Sequence, residues 1–129
     1  MKTLIVDDDF TCRAILHRML KPFGETRSAV NGVEAIKEIK IANRMEEPYD
    51  LICLDIMLPE KSGLTVLSEI RAIESGKHAP GKIARIIMIT ALGDKENVLA
   101  ASQSCDAYLV KPVNKHKLMA HLKKFGFVK

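Results

Sequence analysis

Residues 51–64 read LICLDIMLPEKSGL. The run Asp50-Leu51-Ile52-Cys53-Leu54 is too short for a helix and rich in branched side chains, as in strands buried on both faces of a sheet. It delivers Asp55, and Ile56-Met57-Leu58-Pro59 leads away. A charge at the end of a buried strand is costly unless something meets it. Asp55 therefore asks for a partner.

Similar short runs lie on either side, at Thr3-Leu4-Ile5-Val6, Ala84-Arg85-Ile86-Ile87-Met88-Ile89 and Ala107-Tyr108-Leu109-Val110. A more polar run, Thr26-Arg27-Ser28-Ala29-Val30, suits a sheet edge. Helical stripes separate them: Cys12, Ile15, Leu16, Met19, Leu20 and Phe23; Ala35, Ile36, Ile39 and Ala42; then Val66, Leu67, Ile70 and Ile73. A short fourth stripe holds Val98, Leu99 and Ser102, and a last one Leu118, Met119, Leu122 and Phe125. Each stripe predicts an amphipathic helix with one core face. Strands alternating with helices of this length imply right-handed crossovers and a parallel sheet covered on both faces. The fold expected is a doubly wound α/β domain. Asn43 to Tyr49 and Gly76 to Lys82 read as surface connections.

At 129 residues, 47% hydrophobic, 28% charged and 5% aromatic, the composition is that of one folded globular domain over residues 1–129. The net charge of +4 is modest. It indicates neither nucleic acid nor a membrane surface. With no apolar run of about 18 residues and no signal-peptide pattern, a soluble cytoplasmic protein is expected. Cys12, Cys53 and Cys105 have neither zinc nor disulfide spacing and read as small apolar fillers.

In open parallel sheets ligands bind beyond the carboxyl ends of the strands. There the first run meets Asp7-Asp8-Asp9, the third Asp55, the fourth Thr90 and the fifth Lys111-Pro112. Asp9 reads as the cap of the helix beginning at Phe10. Asp7 and Asp8 alone could be a solvated charge run. With Asp55 they make a hard-cation site, because adjacent carboxylates repel until a divalent ion reconciles them. Asp55 could be a structural acid paired with Lys111, or a carboxylate able to attack phosphorus. The bland readings of Thr90 and Lys111 are a backbone-bonded hydroxyl and an exposed lysine; a cis bond before Pro112 would turn the ammonium toward the site.

As a set, LIVDDD (4–9), LICLDIMLPEKSGL (51–64), IIMITA (86–91) and AYLVKP (107–112) resemble the receiver domain of bacterial two-component response regulators. The resemblance spans essentially the whole chain. It implies a flavodoxin-like five-stranded parallel sheet of order 2-1-3-4-5. It also implies that Asp55 is the phosphoacceptor, with Asp8, Asp55 and the Met57 carbonyl binding Mg²⁺ and Asp7 acting on the metal largely through water. Lys111 would pair with the acceptor and then with a phosphoryl oxygen. Thr90 would be the switch hydroxyl, Tyr108 the aromatic that turns inward behind it, Ala91 the small residue that leaves room, and Gly63 the family's turn glycine. The donor would be a phosphohistidine on a sensor histidine kinase or histidine phosphotransfer protein. The implied protein is a stand-alone phosphorelay switch, not an enzyme beyond its own phosphorylation and slow dephosphorylation. It would act as a monomer or weak phosphorylation-dependent dimer on a separate downstream target, without an output domain.

Two departures carry expectations. Ser104 stands where the family usually has glycine, so a left-handed conformation there would be strained. Apolar Met57 and Leu92 guide an attacking water poorly, which predicts slow loss of phosphate. Three rival readings remain. Asp7-Asp8-Asp9-Phe10-Thr11 also reads as the D-x-D-x-T nucleophile motif of haloacid dehalogenase-type phosphatases, which leaves Asp55 without a role. A phosphate-independent binding module would not need the intact acidic set. Nucleic-acid binding would rest on Lys115, Lys117, Lys123, Lys124 and Lys129, where no aromatic platform accompanies the charge.

Overall fold

The computed structural model describes residues 1–76, 81–91, 93, 96, 100 and 103–129. Along them run β1 (Thr3–Val6), α1 (Phe10–Leu20), a 3-10 turn (Lys21–Phe23), β2 (Thr26–Ala29), α2 (Gly32–Arg44) and β3 (Leu51–Asp55). There follow α3 (Gly63–Glu74), β4 (Arg85–Thr90), β5 (Ala107–Val110) and α4 (Lys115–Lys124). The five strands are parallel, in the order β2-β1-β3-β4-β5. The chain winds outward from β1 to β2, then reverses through β3 to β5. That reversal opens a crevice at the carboxyl ends of β1 and β3.

Alternation along each strand divides the core in two. Leu4, Val6, Ile52, Leu54, Ile86 and Met88 face α2 and α3, packing on Ala35, Ile39, Val66 and Ile70. Ile5, Leu51, Cys53, Ile87, Ile89 and Leu109 face α1 and α4, packing on Leu16, Leu20, Leu118 and Leu122. Because both sheet faces are covered, the central strands read as unbroken apolar runs rather than alternating ones.

Each of the helices α1 to α4 starts on a polar cap that satisfies an otherwise orphaned N–H. Asp9 accepts from Thr11 N at 3.1 Å, Asn31 from Glu34 N at 2.8 Å, Ser62 from Thr65 N at 3.3 Å and Asn114 from Lys117 N at 3.1 Å. The capping role expected of Asp9 is observed.

Tertiary structure corrects several local expectations. Ile15 lies on the α1 stripe but is 37% exposed, because Leu16 and Leu20 alone of that helix reach full burial. The β5 run is not buried on both faces: β5 is the outer strand, and Tyr108 and Val110 are exposed. Asn43 and Arg44 belong to α2, and Tyr49 is buried rather than part of a surface connection. Ser104 is not left-handed; among the described non-glycine residues only Glu46 and Glu60 have positive φ. Its carbonyl instead accepts from Arg71 Nε at 2.8 Å, which pins that corner to α3. Leu92, Val98, Leu99, Ser102 and residues 77–80, on which the fourth stripe and part of the second connection rest, lie outside the described residues.

Candidate functional site

Four strands converge on the crevice. Asp7, just past β1, is buried and turned back by its own loop: Asp9 N–H donates to Asp7 Oδ1 at 2.9 Å. Asp8 beside it is exposed. Asp55 ends β3 with only 3% of its surface accessible, and Met57 N–H donates to its Oδ1 at 3.1 Å. Thr90 ends β4, also buried. Lys111 follows β5, its N–H donating to Thr90 O at 2.8 Å and its bond to Pro112 cis.

These positions bring the charges together. Lys111 Nζ lies 3.1 Å from Asp55 Oδ2 and 3.1 Å from Asp7 Oδ2, bridging two buried carboxylates. The contact to Asp55 is a hydrogen bond. The contact to Asp7 is close in distance only, because Asp7 Oδ2 is buried with no hydrogen-bond partner among the described residues. One cation thus faces two buried acids, and a third stands beside them. Carboxylate oxygens of Asp7, Asp8 and Asp55 all lie within 4.8 Å of one another. A hard oxygen donor set with an orphaned buried oxygen fits a small divalent cation such as Mg²⁺.

The electrostatics carry the same imbalance. Burial first, then the Asp7 charge, push Asp55 up from 3.8 to about 6, with Lys111 and the Met57 N–H pulling against them. Burial works against the Lys111 ammonium, but the Asp55 and Asp7 carboxylates outweigh it and hold its value above the usual lysine range. On the first turn of α1, burial and then Asp9 push the Cys12 thiol up to about 11, which keeps it protonated at neutral pH.

A consequence for stability follows. Since the folded-state value of Asp55 lies above its unfolded value, the folded chain holds the extra proton. Stability is undiminished below about pH 4 and declines as pH rises through 6, by an amount on the order of 2–3 kcal/mol at neutrality. Asp55→Asn is expected to raise the urea midpoint at about pH 7.5 and leave it nearly unchanged near pH 4. Equal shifts at both pH values would contradict an electrostatic origin.

The other singled-out residues are placed as follows. The Thr90 hydroxyl donates to Ala91 O at a long 3.3 Å, its one hydrogen bond among the described residues, and not to Asp55. Ala91 and Met57 are exposed, and Tyr108 is 51% exposed. Arg13 escaped sequence reasoning: its Nη1 donates to Asp7 O at 2.8 Å, steadying the acidic loop from α1. No short-range spacing signals a contact that depends on how α1 leaves the sheet.

A family model described as the response regulator receiver domain matches residues 3–123. The chain belongs to that family. This receiver is 34% identical over 127 residues to chemotaxis protein CheY-3 of Vibrio cholerae, covering 96% of this chain and 90% of that protein. It is 33% identical to the transcriptional regulatory protein CpxR homolog of Haemophilus influenzae over 95% of its own length, but spans only 48% of that relative. Among solved structures, the receiver domain of the histidine kinase CKI1 from Arabidopsis thaliana superposes with a TM-score of 0.84 at 26% identity, covering 97% of this chain and 89% of that one. The protein is therefore a CheY-like receiver of two-component signalling, a family whose members bind Mg²⁺ in an acidic pocket and act with histidine kinases or phosphotransfer proteins. Among the described residues no helix is long and apolar enough to cross a membrane.

Proposed function

We propose that residues 1–129 act as one cytoplasmic receiver unit that takes a phosphoryl group onto Asp55 from a phosphohistidine and passes the change to a separate downstream protein. The observation that supports this most is the single ammonium of Lys111 held 3.1 Å from both buried carboxylates. Asp8, Asp55 and the Met57 carbonyl would hold Mg²⁺, with Asp7 acting on it largely through water. When bound, that ion supplies Lewis-acid neutralisation of phosphoryl oxygens.

The protein's own groups do the rest. An Asp55 oxygen forms the new bond to phosphorus, the P–N bond of the donor histidine breaks, and its electron pair returns to the imidazole, which takes a proton from solvent. Lys111 neutralises charge on the transferred group, and burial keeps the acceptor dry. Thr90, weakly held, moves its hydroxyl onto a phosphoryl oxygen; Ala91 leaves room, and Tyr108 turns inward into the space vacated. Exposed Met57 brings no polar group to guide an attacking water, so the phosphate is long-lived.

The test is intact mass and peptide mapping after borohydride trapping, on protein incubated with acetyl phosphate with and without Mg²⁺. Label is expected on Asp55, lost in Asp55→Asn and on chelation. Label on Asp7 would turn the reading toward a phosphatase, and no label despite bound Mg²⁺ toward a phosphate-independent module.

A further inference from the structure

The loop that leaves Asp55 for α3 contains a strained turn. Lys61 N–H donates to Pro59 O at 2.7 Å around Glu60, whose φ of 65° lies in the left-handed region. A three-residue turn of that sense is the rare, strained form. Glu60 is not glycine, and its side chain is exposed and makes no hydrogen bond among the described residues. Strain of this kind persists only where the surroundings impose the conformation.

Two sets of contacts impose it here. On the Asp55 side, Ile56 and Leu58 are buried, and Ile56 O accepts from Leu58 N–H at 3.1 Å and from Gly63 N–H at 2.8 Å. On the other side Lys61 reaches out of the loop, its Nζ 2.7 Å from Glu69 Oε1 in the second turn of α3. Among the described residues no other side chain of 56–61 makes a hydrogen bond. The Lys61 stem lies against the start of α2, where a Cβ on Gly32 would stand 3.0 Å from Lys61 Cδ and 3.3 Å from Lys61 Cβ. Lys61 precedes α3 and stands eight residues from Glu69, so the pair is not one of the (i, i+4) contacts that support a helix. It ties the loop to the helix.

The geometry points to Lys61 as a positioning residue for the divalent cation: its pair with Glu69 clamps the strained 59–61 turn, and with it the loop leaving Asp55, in the cation-binding form. The inference rests on the cation site proposed above and not on phosphoryl acceptance. Its sign is distinctive. An ammonium six residues beyond Asp55 repels a cation, so by Coulomb energy alone its removal tightens binding. Removal of a clamp does the opposite, because the turn relaxes and binding then carries the entropy of ordering the loop.

The experiment titrates MgCl₂ into ¹⁵N-labelled wild type, Lys61→Met and Lys61→Arg, read on the amides of Asp8 and Met57. Met keeps an unbranched stem against Gly32 without the charge, and Arg keeps the pair. Lys61→Met should bind Mg²⁺ about three- to fivefold more weakly, and Lys61→Arg within about twofold of wild type. Without metal, hydrogen exchange at the amides of residues 61 and 63 should quicken in Lys61→Met by about the same factor, while that of Leu118 in α4 stays unchanged. Circular dichroism verifies folding. Equal or tighter Mg²⁺ binding by Lys61→Met, an equal loss in Lys61→Arg, or unaltered exchange at 61 and 63 overturns the clamp while leaving the cation site standing. A wild type that shows no saturable Mg²⁺ binding overturns the cation site itself, and the clamp with it.

Discussion

Lys111→Met is expected to lower phosphoryl acceptance from acetyl phosphate by about 10²–10³-fold, the range seen when one preorganised charge-stabilising donor is removed. The same change should lower stability in a pH-dependent way. The ammonium lies 3.1 Å from each of two carboxylates that are 1% and 3% exposed, so its loss leaves two buried anions facing each other. Without the cation Asp55 rises further above its unfolded value, so the folded variant holds a proton that the unfolded chain releases. The variant should approach wild-type stability near pH 4 and fall behind as pH rises, by about 3 kcal/mol near pH 8, as when one partner of a buried pair is removed. Urea melts at several pH values read this directly. A gap independent of pH would show that Lys111 acts there by packing its stem rather than by charge.

Gly63→Ala should be among the most damaging small substitutions in the chain. Gly63 opens α3, where intrinsic propensity favours alanine by roughly 1 kcal/mol. Sterics oppose it: a Cβ there would stand 2.1 Å from Asp55 O and 2.7 Å from Ile56 Cα, while Gly63 N–H donates to Ile56 O at 2.8 Å. All these neighbours are backbone, so no rotamer change relieves the clash. A net loss of about 3 kcal/mol is expected, and thermal unfolding should begin some 10 °C lower. Displacing the carbonyl of Asp55 also displaces its carboxylate, and misplacement by about 1 Å can slow a positioned reaction roughly 10²-fold. A Gly63→Ala protein more stable than wild type would mean the helix start yields without moving β3.

Much of this was legible along the chain because the signals are local. Unbroken apolar runs ending in Asp7, Asp55, Thr90 and Lys111 announce parallel strands covered on both faces and place their chemistry at one edge. The Asp9 cap is similarly local, a carboxylate one residue ahead of a helical stripe. Family resemblance supplied the strand order, which no short-range spacing contains.

Other features depended on how distant segments cover one another. Ile15 has the spacing of a core residue and is exposed, because periodicity gives direction around a helix but not the depth of what it faces. Tyr108 and Val110 belong to an apolar run yet lie open, because β5 ends the sheet. Ser104 stays out of the left-handed region, and its carbonyl accepts from Arg71 of α3, a contact between segments far apart in the chain. The sequence by itself determined the strands, the helix starts and the acids, hydroxyl and amine gathered at one edge, since hydrophobic period and capping act over a few residues. Tertiary structure alone decided that Lys111 stands equally near two buried acids and that burial lifts Asp55 to about 6, because desolvation and Coulomb energy depend on distances between residues that are neighbours only in the folded chain.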